Sequence, residues 1–88
     1  MTPAQVRAAR AWLNWSQKIL AERAGIAKNT VHGFESGRTT LTPNNALALR
    51  RALEAEGVRL LFDETGAAAG IARQDAKIDP SSAGRPSD

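Results

Sequence analysis

Residues 16–37, SQKILAERAGIAKNTVHGFESG, read as two short helices around a tight glycine turn. The first covers about Ser16 to Ala24 and the second about Lys28 to Ser36. Leu20, Ala21 and Ala24 fall at helical spacing on one side of the first, and Val31 and Phe34 on one side of the second. Gly25 stands between them, where a chain leaving a helix often needs a positive φ that glycine adopts at little steric cost. Helices joined by so short a turn cross closely, and the small side chain of Ala21 leaves room for the crossing. Ile26 and Val31 close the wedge from the other side.

Gln17, Ala21, Gly25 and Val31 together specify a helix-turn-helix, the motif that lays its second helix in the major groove of DNA. The segment resembles the Cro/CI-type (XRE-like) helix-turn-helix family of bacterial and phage regulators. The matching residues are Trp15-Ser16-Gln17, Leu20-Ala21, Ala24-Gly25-Ile26, Thr30-Val31 and Phe34-Glu35-Ser36-Gly37-Arg38, and the likeness runs over roughly residues 3–56. It implies an all-α, lambda-repressor-like fold of four to five helices. It also implies sequence-specific binding of double-stranded DNA in transcriptional regulation, typically as a homodimer, with half-sites about one helical turn (~34 Å) apart.

Composition agrees with that class and argues against others. Eighty-eight residues make one small domain, and 42% hydrophobic content can build a core. There is no cysteine and one histidine, so neither a disulfide framework nor a metal site is expected, and no cofactor or small-molecule ligand. His32 has no acid–base constellation around it, which argues against an enzyme. No apolar run approaches the ~20 residues of a membrane span, and Met-Thr-Pro-Ala does not begin a signal peptide; the reading is cytoplasmic, at the nucleoid, with no membrane partner. The net charge is +3. Its distribution is more telling. Residues 1–40 hold Arg7, Arg10, Lys18, Arg23, Lys28 and Arg38 against Glu22 and Glu35, so the positive end is the end that carries the helix-turn-helix.

Along the chain, Thr2-Pro3-Ala4-Gln5 is a capping box with proline at the first helical position, opening a helix over Pro3 to about Leu13. Val6, Ala9 and Leu13 share its inner face with Trp12 beside it, and Arg7 and Arg10 lie toward the other side. Ser16 caps the next helix, with Trp15 and Leu20 as a hydrophobic staple. Ala27 stands at the following cap, where the family usually shows Ser or Thr. Leu41-Thr42-Pro43 repeats the same helix-start grammar for a helix over Pro43 to about Glu56, with Ala46, Leu49 and Leu53 inward, Ala52 alongside and Leu47 off the stripe.

The resemblance also assigns roles. Lys28, Asn29 and His32 map onto base-reading positions; lysine suits guanine O6/N7, and asparagine pairs bidentately with adenine N6/N7. Ser16, Gln17, Thr30, Ser36 and Arg38 map onto phosphate-binding positions. Arg10 and Glu35 occupy the places of an ion pair that locks the first helix to the recognition helix. Gly33 departs from the usual long polar residue and reads as an outward position that leaves one base unread or lets the backbone approach the groove.

After Gly57 the period changes. Val58, Leu60 and Phe62 share one face of an extended chain, Asp63-Glu64-Thr65-Gly66 is turn-forming, and residues 67–73 return as a second strand. A lone hairpin is marginal in water. Val58, Leu60, Leu61 and Phe62 therefore form a dimerisation element, or else the hairpin covers the core of its own chain. From Gln74 the composition is polar and rich in Pro, Ser and Gly, a flexible tail. The organisation expected is residues 1–57 for DNA, 58–73 for the extension and 74–88 for the tail. The other reading of these residues is an antitoxin or anti-activator-like protein that clasps a protein partner with its strand and tail.

Overall fold

The computed structural model describes residues 1–73; the expected tail, 74–88, lies outside the described residues. Four helices precede one hairpin: α1 (Pro3–Leu13), α2 (Gln17–Ala24), α3 (Lys28–Glu35), α4 (Pro43–Ala55), β1 (Val58–Phe62) and β2 (Ala68–Arg73). Among the described residues no fifth helix forms, because the alternating pattern that begins at Val58 suits a strand. No helix among the described residues is long and apolar enough to cross a membrane.

Three of the four helices, α1, α2 and α4, start where a side-chain cap directs. Thr2 Oγ1 accepts from Gln5 N–H at 3.2 Å and Gln5 Oε1 from Thr2 N–H at 3.0 Å, closing the capping box. Ser16 Oγ accepts from Ile19 N–H, and Thr42 Oγ1 from Asn45 N–H. The core draws on every helix and on β1. Val6, Ala9, Leu20, Val31, Leu49, Leu53 and Val58 are wholly buried, with Ala21, Phe34 and Leu60 nearly so. Leu47 is 44% exposed, off the inward stripe of α4, whereas Trp12 is 46% exposed and adds little to the inner face of α1.

The hairpin belongs to this core. β1 and β2 pair antiparallel, with Leu60 opposite Ile71, and the register slips between Leu61↔Gly70 and Phe62↔Ala68 so that Ala69 is the extra residue of a bulge. Gly70 follows the bulge at φ 147°, a conformation that favours glycine. Val58 and Leu60 point into their own chain, where apolar burial already uses both side chains. Leu61 and Phe62 remain half-buried. Packing is thus continuous across residue 57.

Gln5 makes the joint between α1 and the strands. Its Nε2 donates to Leu61 O at 2.8 Å and to Gly70 O at 2.9 Å, while its Oε1 closes the capping box. This leads to a prediction that helix-capping rules alone would reverse. Glutamate is a standard capping-box residue, yet Gln5→Glu replaces the donor with a carboxylate facing two carbonyl oxygens. Thermal and urea unfolding should show a loss of about 1–3 kcal/mol, the cost of partly buried polar groups left without a partner.

Candidate nucleic-acid interface

α2 and α3 meet through a turn built by Gly25. Its φ of 73° ends α2 in the left-handed region, and Ile26 N–H then donates to Ala21 O at 3.0 Å. Ala21, only 2% exposed, lies at the crossing. On α3, Val31 and Phe34 turn inward, while Lys28, Asn29 and His32 are exposed and Thr30 is half-buried. The structure thus brings the three candidate base readers together on the outer side of one helix.

The start of α3 is weakly held. Ala27 has the extended backbone of a cap residue, φ −72° and ψ 143°, but supplies no side-chain hydrogen bond. Ala27→Ser should therefore stabilise the protein by about 1 kcal/mol. For a domain of this size that is a Tm rise of roughly 4–8 °C, readable by calorimetry.

Gly33 does not face outward as its position in the sequence implied. It is buried beneath the loop after α3. Its carbonyl accepts from Arg38 N–H at 2.9 Å, Thr39 N–H at 3.2 Å and the Ser36 hydroxyl at 3.2 Å. A Cβ on Gly33 would stand 2.6 Å from Thr39 Oγ1. Glycine is there to seat the loop that carries Ser36 and Arg38, and Arg38 Nε donates back to Ser36 Oγ at 3.3 Å. A double-mutant cycle checks this. Gly33→Ala alone should forfeit the ~1 kcal/mol that alanine normally brings to a helix, and Gly33→Ala with Thr39→Ala should recover it.

The far end of α3 is clamped by Glu35. Its residue is 5% exposed. Arg10 grips the carboxylate with both arms of its fork, Nε to Oε2 and Nη2 to Oε1 each at 2.7 Å, and Arg10 Nη1 donates to Trp15 O at 2.9 Å. Gln17 Nε2 adds a third bond to Glu35 Oε1 at 3.1 Å, and the Gln17 Oε1 lies 3.3 Å from His32 Nδ1. Burial alone would raise the Glu35 carboxyl. The hydrogen bonds from Arg10 and Gln17, with the charges of Arg10 and Arg7, outweigh it and hold the group below the usual carboxylate range. Glu35 is therefore ionised at neutral pH. Four residues form one chain of bonds from the back of α1 to the exposed side of α3.

Two residues of this region escaped the sequence reading. Helical spacing puts Arg7 on the outer side of α1, yet its Nη1 donates to the backbone carbonyl of Glu35 and so caps the end of α3. Its spacing of three from Arg10 was the available signal, since such residues lie side by side on a helix. The sequence places Gln17 in the motif and toward phosphate, and its bonds to Glu35 and His32 depend on a crossing that sequence does not display.

Two short helices crossed at a glycine turn are thus braced from behind by a third, and comparison with known families identifies the arrangement. The helix-turn-helix family model HTH_3 matches residues 6–58. The chain belongs to the Cro/CI-type (XRE) helix-turn-helix family. Its general class is therefore that of DNA-binding regulators, with α2 and α3 as the motif. The match runs from α1 to the first residue of β1, so nearly all of the hairpin lies beyond what defines this helix-turn-helix family. A search against curated proteins finds no match.

Proposed function

We propose that this protein is a sequence-specific regulator of transcription that places α3 in the major groove of double-stranded DNA. One observation carries the reading: Lys28, Asn29 and His32 stand exposed on α3 while Glu35, on the same helix, is locked to α1 and α2. Base readout needs side chains free to reach base edges on a helix that is not free to move. Asn29 is assigned to adenine N6/N7, Lys28 to guanine O6/N7, and His32 to a third base.

Ser16, Gln17, Thr30, Ser36 and Arg38 are assigned to the phosphates that set the register. Gln17 uses one amide N–H for Glu35, which leaves the second for a phosphate oxygen, beside the free N–H groups at the start of α2. Arg38 is exposed on the loop that Gly33 seats. A homodimer on a palindromic operator follows from the short reach of one helix, with half-sites ~34 Å apart. Leu61 and Phe62 remain as its contact candidates. The second reading, a protein that docks a partner on its strands, is favoured by the two-stranded sheet, whose outer edges are unpaired among the described residues.

Fluorescence anisotropy separates the two. Against duplexes enriched from a random library, the protein should bind tightly, lose affinity on a scrambled duplex, and weaken steeply as salt rises. Weak binding indifferent to sequence would reject the regulator in favour of the partner-docking protein.

A further inference from the structure

His32 sits at the exposed end of the chain Arg10–Glu35–Gln17–His32, and the direction of that chain has a chemical consequence. Each bond in it has a donor and an acceptor, and the first members leave no choice. Arg10 can only donate. Glu35, gripped by Arg10 at 2.7 Å through both oxygens and ionised, can only accept. The Gln17 group that faces Glu35 at 3.1 Å must therefore be its amide nitrogen, which fixes the amide orientation and turns its oxygen toward His32. An amide oxygen only accepts. The bond of 3.3 Å between Gln17 Oε1 and His32 Nδ1 then requires a proton on Nδ1.

A neutral imidazole carries one N–H. With it committed to Gln17, the remaining ring nitrogen, Nε2, is a bare lone pair on the opposite edge of an exposed side chain. This is the less common tautomer, since histidine free in water favours the proton on Nε2.

We infer that Gln17 sets His32 as an acceptor-presenting base reader, so that His32 selects a base with an exocyclic amino group, adenine or cytosine, on the strand it faces. In the major groove adenine offers N6–H₂ and cytosine N4–H₂, whereas guanine offers the acceptors N7 and O6 and thymine the acceptor O4. The bare Nε2 accepts from the first two and meets lone pairs on the others. The inference rests on the DNA-binding reading above and deepens it, by giving His32 a hydrogen-bond polarity and Gln17 the part of a positioning residue.

The tautomer is visible without DNA. The imidazole nitrogens of ¹⁵N-labelled protein, recorded where the ring is neutral, should show Nδ1 at the protonated position and Nε2 at the bare one. In Gln17→Ala the ring should revert toward Nε2–H, while circular dichroism shows an intact fold. Selection from a random duplex library should then give wild type a preference for A or C over G or T at one position of each half-site, about threefold to tenfold for one hydrogen bond. That preference alone should vanish in His32→Ala, and should relax in Gln17→Ala. A wild-type ring protonated on Nε2, or a His32-dependent preference for G or T, would overturn the inference and leave the DNA-binding reading standing. Absence of any base preference would overturn that reading and the readout together.

Discussion

Arg10→Ala should cost the free protein about 3 kcal/mol, the scale for leaving a buried charge without its partner. In a domain of this size the Tm would fall on the order of 12–24 °C. The loss arises less from an attraction removed than from the carboxylate left behind. The Glu35 side chain is 3% exposed against 21% for Arg10, so the acid is the member of the pair with less access to water. Glu35→Ala should accordingly cost less, since Arg10 keeps its bond to Trp15 O and a route to solvent. Urea titration of the two variants measures the asymmetry, and equal losses would show that the clamp is not an unevenly buried pair.

The same clamp makes stability depend on pH in a definite direction. The folded-state carboxyl of Glu35 lies below its ordinary value of 4.5. Its contribution is therefore complete above that pH, and is lost as pH falls through the lower folded value. Asp63 shares the sign. Hydrogen bonds from the Thr65 hydroxyl, and from the Ala67 and Thr65 N–H groups, hold it low in the hairpin turn. The part of the acid slope that disappears in Glu35→Ala thus belongs to Glu35.

The second large effect is on DNA. Asn29→Ala should weaken binding to the selected operator by about 1–3 kcal/mol and relax the preference at one base pair only. Arg38→Ala should instead weaken all duplexes alike and lower the salt slope by about one phosphate's worth. The contrast follows from where the two residues sit. Asn29 projects from a helix whose far end is held to α1, and Arg38 from a loop folded back over Gly33. Binding profiles of the two variants on an operator and on its single-base substitutions would distinguish them. Identical profiles would show that the roles have been assigned wrongly.

How much of this could be read from the sequence depends on the range of the physics involved. Thr2, Ser16, Thr42 and Gly25 act on residues within a turn of themselves, so helix starts and the α2–α3 turn were legible to within a residue or so. The resemblance drew attention to Arg10 and Glu35, and the structure shows the fork between them. Gly33 was misplaced because helical spacing says which side a residue is on, and says nothing about a loop that folds back over that side. Gln5 was read as a cap and no more, since its second use depends on carbonyls in strands more than fifty residues away. The alternation of Val58, Leu60 and Phe62 points to an inward face, which is buried at Val58 and Leu60 and half-buried at Phe62. It could not say whether the cover was another subunit or, as the structure shows for Val58 and Leu60, the chain's own helices.

On the proposed function, the outer side of α3 and the start of α2 meet DNA. The most direct measurement is a titration of ¹⁵N-labelled protein with a selected operator, following backbone and side-chain amide signals. The largest changes are expected at Lys28, Asn29 and His32, at Ser16 and Gln17, and along residues 36–39, with the hairpin signals nearly still at substoichiometric DNA. Changes concentrated on Leu61, Phe62 and β2, with α3 unaffected, would contradict the proposed function.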